Sequence, residues 1–121
     1  MVLLVDAANV VGSRPNGWWR DRAGAARSLV ERIRAAAADG RLAVPVVVVL
    51  EGAARGGVEE GASDGVEVVH ARGEGDDTLA AVAAAATEPV TLVSADRGLR
   101  ARVQATGAEV VGPSWLLDRL G

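Results

Sequence analysis

The sequence predicts an α/β fold: a three-layer sandwich in which a mostly parallel five-stranded sheet carries helices on both faces. Three observations predict it. Short runs rich in valine and leucine recur along the chain, continuous enough to be buried on both sides. Stretches with apolar residues at three- and four-residue spacing alternate with them. Glycines bound most of these segments.

Taken in order, Val2 to Val5 is the first apolar run, and Asp6 ends it. A loop with glycine and proline follows from Gly12 to Gly17. From about Arg20 to Ala38 the residues Ala26, Val30, Ile33 and Ala37 share one helical face, with Arg27, Glu31 and Arg34 opposite. Gly40 is placed to stop that helix. Val44 to Leu50 holds five valines and reads as the second strand, its Pro45 near the start where a missing N–H is tolerated. Glu51 to Gly65 reads as a loop with at most one helical turn. Val66 to His70 is the third strand, and Glu67 within it suggests an edge position. Asp76 or Asp77 opens an alanine-rich helix to about Ala86. Val90 to Val93 is the fourth strand, Arg97 to Ala105 a short helix, and Glu109 to Val111 the fifth strand. Ser114 can cap a last helix through Leu120, anchored by Trp115.

The 121 residues suit one domain spanning positions 1–121, half of them hydrophobic. Phe and Tyr are absent, so valine, leucine and alanine must fill the core. The lack of cysteine excludes disulfides, a disulfide-linked partner, thiolate metal sites and cysteine nucleophiles. All 13 basic residues are Arg; without Lys neither a P-loop NTPase nor Schiff-base chemistry is open. The start has no basic region before its apolar run, so no signal peptide is expected. No apolar run approaches the roughly 18 to 20 residues that span a bilayer. A cytoplasmic protein without a membrane partner is the expectation, and a homodimer is left open.

Charge is uneven. Residues 1–41 carry a net +3, residues 42–90 a net −7 and residues 91–121 a net +1. In an open parallel sheet, ligands bind outside the carboxyl ends of the strands near the point where strand order reverses. Asp6 ends the first strand, Glu51 follows the second, Asp76 and Asp77 open the helix after the third, and Asp96 follows the fourth. Asp76, Asp77 and Asp96 also suit helix caps and first turns. Asp6 is harder to explain that way, because a carboxylate at the end of an apolar central strand is costly to bury unless it is paired or bound to a cation. Two carboxylates about 4 Å apart repel by about 4 kcal/mol at an effective dielectric near 20. A divalent cation among them relieves that repulsion, and oxygen ligands favour Mg²⁺ or Mn²⁺. Asn9 and Ser94 then suit hydrogen bonding that sets the ligand rotamers, or a turn cap and a hydroxyl bonded to backbone.

Asp6-Ala7-Ala8-Asn9 after a short strand, Gly75-Asp76-Asp77-Thr78 opening a helix, and Ser94-Ala95-Asp96-Arg97 after a late strand resemble the motifs of the PIN-like nucleases, specifically the NYN (YacP-like) branch. The resemblance covers nearly the whole chain. It implies a sheet in the order 3-2-1-4-5 and a metal-dependent ribonuclease, expected to act endonucleolytically. The catalytic and metal-binding carboxylates it implies are Asp6, Asp76, Asp77 and Asp96, with Asn9 and Ser94 holding the cluster and Glu51 at a position often acidic in this branch. The stretch from Gly52 to Gly65 is shorter and richer in glycine than that branch leads one to expect.

An RNA substrate needs positive charge near the acids. The loop from Ser13 to Arg22 supplies Arg14, Arg20 and Arg22 with Trp18 and Trp19, and Arg97 follows Asp96 directly. An exposed indole stacks on bases with little sequence preference. One tryptophan of the pair should be buried and the other exposed. His70 reads as a surface or packing residue. A phosphoacceptor receiver would want a Lys, a haloacid-type phosphatase an acid two residues after Asp6, and a dinucleotide fold its glycines after the first strand; none is present. The remaining rivals are an RNA- or partner-binding domain without catalysis, and cleavage of DNA.

Overall fold

The computed structural model describes residues 1–121. Strand β1 (Val2–Asp6) leads into helix α1 (Ala7–Gly12), a 3-10 turn (Trp18–Arg20) and helix α2 (Arg22–Ala38). Strand β2 (Val46–Leu50), a 3-10 segment (Gly52–Gly57), strand β3 (Gly61–Ser63) and strand β4 (Val66–His70) follow. Helix α3 (Gly75–Ala85), β5 (Val90–Val93), α4 (Arg97–Gln104), β6 (Glu109–Val111) and α5 (Pro113–Leu120) complete the chain.

The six strands run in the order β3-β4-β2-β1-β5-β6. All neighbours are parallel except β3 and β4. Without β3 the order is the one that the resemblance implies, so the correction concerns a sixth strand inside a stretch read as a loop. Gly61, Ala62 and Ser63 are all exposed and show no apolar alternation, which is why no strand was expected there. Their pairing with Val66 to Val68 covers β4, which is therefore not at an edge.

Alternation along the strands builds two cores. Leu3, Val5, Val46, Val48, Leu50, Val66 and Val68 face α1, α2 and α5 in a cluster of 18 buried residues. Leu4, Val47, Val49 and Leu92 face α3 and α4 in a cluster of 10. Ile33 of α2 is fully buried, and its truncation to Ala would cost about 2–5 kcal/mol by the lost transfer and the cavity left.

The helix ends explain the other departures. α1 was not expected: it has only six residues, and Asp6 caps it by accepting from the Asn9 amide. α2 starts at Arg22, later than predicted, because Asp21 caps it through the Gly24 amide at 2.9 Å. β2 starts at Val46, after Pro45, which offers no N–H to the ladder. Ser114 does not cap α5; Gly112 stands at that position and Pro113 fills the first turn, where its fixed φ suits the helix.

Gly57 lies where α2 meets the 3-10 segment. A Cβ there would collide with the Ala23 carbonyl oxygen, so only glycine permits this contact. No helix is long and apolar enough to cross a membrane.

Candidate active site at the carboxyl rim of the sheet

The strand order reverses between β1 and β5, and Asp6 sits there, 6% exposed. Its Oδ2 accepts from the Ser94 hydroxyl at 2.9 Å, and its Oδ1 from the Asn9 amide at 3.3 Å. Ser94, fully buried at the end of β5, also accepts from the Asp96 amide at 3.1 Å. Asp96 Oδ1 in turn accepts from the Leu99 amide at 2.8 Å and caps α4. Asn9 Oδ1 accepts from the Ala95 amide at 2.8 Å, tying α1 to the segment that leaves β5. Asn9 and Ser94 thus hold the acids across two strands.

Glu51 completes the other flank. Its Oε2 accepts from the Gly75 amide at 2.6 Å, holding the start of α3 to the end of β2. A Cβ on Gly75 would lie 3.1 Å from that carboxylate, so the glycine allows the close approach. Asp76 and Asp77 both lie in the first turn of α3, but they part company there. Asp76 is half-buried and faces the other acids, whereas Asp77 is exposed and pairs with Arg102 at 3.1 Å. Arg102 is the site neighbour that spacing did not reveal, since it comes from the far end of α4.

The electrostatics single out two groups. Burial raises the Asp6 pKa, the hydrogen bonds from Ser94 and Asn9 lower it, and the charges of Asp76 and Glu51 push it up again, for a net rise. Asp76 is also raised, first by burial, then by Asp96 and Glu51, with Arg102 opposing. No cation forms a salt bridge with Asp6, Glu51, Asp76 or Asp96. Oxygen donors of this kind suit a hard divalent ion. As the side chains stand, no three of them form a group that would hold a metal ion.

Of the tryptophan pair, Trp19 is the exposed member at 52% and Trp18 the half-buried one. Their rings meet edge to face with centroids 6.2 Å apart. Arg20 lies over Trp19 at 5.8 Å and Arg22 over Trp18 at 5.3 Å. Arg22 and Trp18 line a cavity of about 350 Å³ that reaches Glu51. Arg14 borders a separate groove with Ser28 and Arg32, apart from the acids. Arg97 is exposed beside Asp96. His70 bonds the Val58 carbonyl oxygen through its ring at 2.7 Å, a packing role.

This is a YacP-like fold. The chain is similar over 99% of its length to the crystal structure of Rae1 (YacP) from Bacillus subtilis, with TM-score 0.78, 19% identity and 73% of that chain covered. A tryptophan-to-leucine mutant of the same protein gives TM-score 0.73 and 18% identity over 99% of this chain and 74% of that one. No protein-family model and no curated protein matches the sequence.

Proposed function

We propose that the chain is a metal-dependent ribonuclease that hydrolyses RNA phosphodiesters at this rim, with Mg²⁺ or Mn²⁺ as cofactor. The observation that carries the reading is Asp6, a carboxylate buried at the switch point with Asp76 and Glu51 adding repulsion and no cation paired to it. A structural carboxylate would be expected to have a paired charge or a low pKa. The YacP-like fold and the motif resemblance support the same reading.

Asp6, Asp76 and Asp96 would hold the ion. Bound there, it would polarise the phosphate and make water an effective nucleophile. The chain's own part is positioning. Ser94 fixes the Asp6 carboxylate relative to the Asp96 backbone, Asn9 holds the β5 exit, and Glu51 holds the start of α3. Arg20 and Arg22 with their tryptophans would engage phosphates and bases of a single strand.

RNA binding without cleavage is the second reading. It is favoured by one observation: Asp6 and Asp96 both serve as helix caps, which alone would account for their presence. Labelled RNA and DNA incubated with purified protein in Mn²⁺, Mg²⁺ or EDTA separate the two. The ribonuclease reading expects metal-dependent cleavage of RNA that Asp96→Asn abolishes. RNA retained intact in every metal, and bound equally by the variant, would establish the binder instead.

A further inference from the structure

We infer that the cavity between α1, α2 and the segment after β2 is a nucleobase subsite that favours a base bearing an exocyclic amino group over uracil; its placement beside a cleaved linkage rests on the ribonuclease reading.

The cavity, about 350 Å³, falls in the range of small-molecule sites. Its walls are largely apolar, formed in part by Ala8 and Val11 of α1, the glycine-rich turn at Gly52 and Trp18. The Arg22 guanidinium lies over the Trp18 ring, and the indole passes beside Gly12, close enough that a Cβ there would touch it at 3.5 Å. A half-buried indole at the side of an apolar slot is a surface on which an unstacked base can rest.

The polar groups decide which base. Only Arg22, Glu51 and Glu74 bring charge to the lining. Glu51 commits Oε2 to the Gly75 amide and leaves Oε1 without a protein donor. A carboxylate only accepts, so the base edge it meets must donate. Cytosine, adenine and guanine each present an amino group, whereas uracil presents carbonyl oxygens on both sides of one N–H. Facing Glu51, those oxygens are repelled.

The position follows from the chain. Ala8 is two residues beyond Asp6, and Glu51 belongs both to the cavity wall and to the acidic cluster. A base seated here therefore places its own sugar and phosphate toward the acids.

Cytidine and uridine, neutral and nearly isosteric, test this in EDTA, followed through the amide NMR signals of Ala8, Gly52 and Gly73. Cytidine should shift those signals and bind roughly tenfold more tightly than uridine, as a hydrogen bond to a charged acceptor implies. Gly73→Leu adds a side chain to an open position on the lining and should weaken cytidine about fivefold or more, as should Trp18→Leu, while Trp18→Phe retains binding. Equal binding of the two nucleosides, or cytidine binding untouched by Gly73→Leu, overturns the subsite. Because no metal is present, the titration reads the cavity independently of cleavage. Cytidine preference in a protein that never cleaves RNA upholds the subsite and removes the ribonuclease reading; cleavage without that preference does the reverse.

Discussion

The Ser94 hydroxyl donates to Asp6 Oδ2 at 2.9 Å while accepting from the Asp96 amide at 3.1 Å, so one buried oxygen joins the ends of two central strands. Ser94→Ala removes the bond that favours ionised Asp6 and leaves the Asp96 amide without its partner. The variant should lose about 1–3 kcal/mol near neutral pH. The loss should shrink in acid, where Asp6 is protonated in both proteins. Urea denaturation in EDTA at the two pH values measures it; an equal loss at both would mean that the bond does not act on the charge.

Asp6→Asn tests the repulsion itself. The folded-state pKa of Asp6 lies above its ordinary value, chiefly through burial. Its contribution to stability is therefore fully present in acid, below the ordinary aspartate pKa, and is lost as pH rises through the raised value. In EDTA near neutral pH the variant should melt at or above the wild-type temperature, and the advantage should vanish in acid. Saturating Mn²⁺ should raise the melting temperature of the wild type more than that of the variant. A strongly destabilised apo variant would show that the carboxylate is a structural hydrogen-bond acceptor.

Asp96 caps α4 and, in the proposed function, holds the ion, and different substitutions separate the two. Asn is as good a helix cap as Asp, so Asp96→Asn should fold with near wild-type stability and lose cleavage. Asp96→Ala should lose cleavage and about 0.5–2 kcal/mol as well, because the Leu99 amide is left without its acceptor. Denaturation curves alongside the RNA assay distinguish the two effects.

Asp76 and Asp77 should behave differently although they are adjacent. Asp77 is exposed and pairs with Arg102 at the surface, so Asp77→Asn should change stability by less than about 1 kcal/mol and leave most of the cleavage rate. Asp76→Asn should abolish cleavage. Rates of the two variants on one RNA substrate decide the assignment, and the opposite order would place Asp77 in the site.

Much of the architecture could be read from residues with one strong preference. Val66–His70, Val90–Val93 and Glu109–Val111 are strands with the predicted bounds, because β-branched runs between glycines or helices have few alternatives. What escaped depended on tertiary partners. α1 is short, and its start is held by the same Asp6 whose place at a strand end marks it as a site residue. β3 exists because β4 offers it an edge, which its own sequence of small residues does not announce. In the site, the rim position of the acids followed from strand ends alone. That Asp77 would turn to Arg102, and that Trp18 would line a cavity while Trp19 faces solvent, required knowing where α4 and α2 pack.

The bare backbone at Gly57, flush against the Ala23 carbonyl, has a mechanical consequence. It lets the turn after β2 rest directly on the first coil of α2, where Arg27 also donates to the Gly57 carbonyl oxygen at 3.2 Å, so Ala54 on one bank of the cleft and Arg22 on the other belong to two elements in backbone contact. A bulkier residue there would wedge those two elements apart and widen the cleft from behind, since its Cβ meets only the Ala23 backbone.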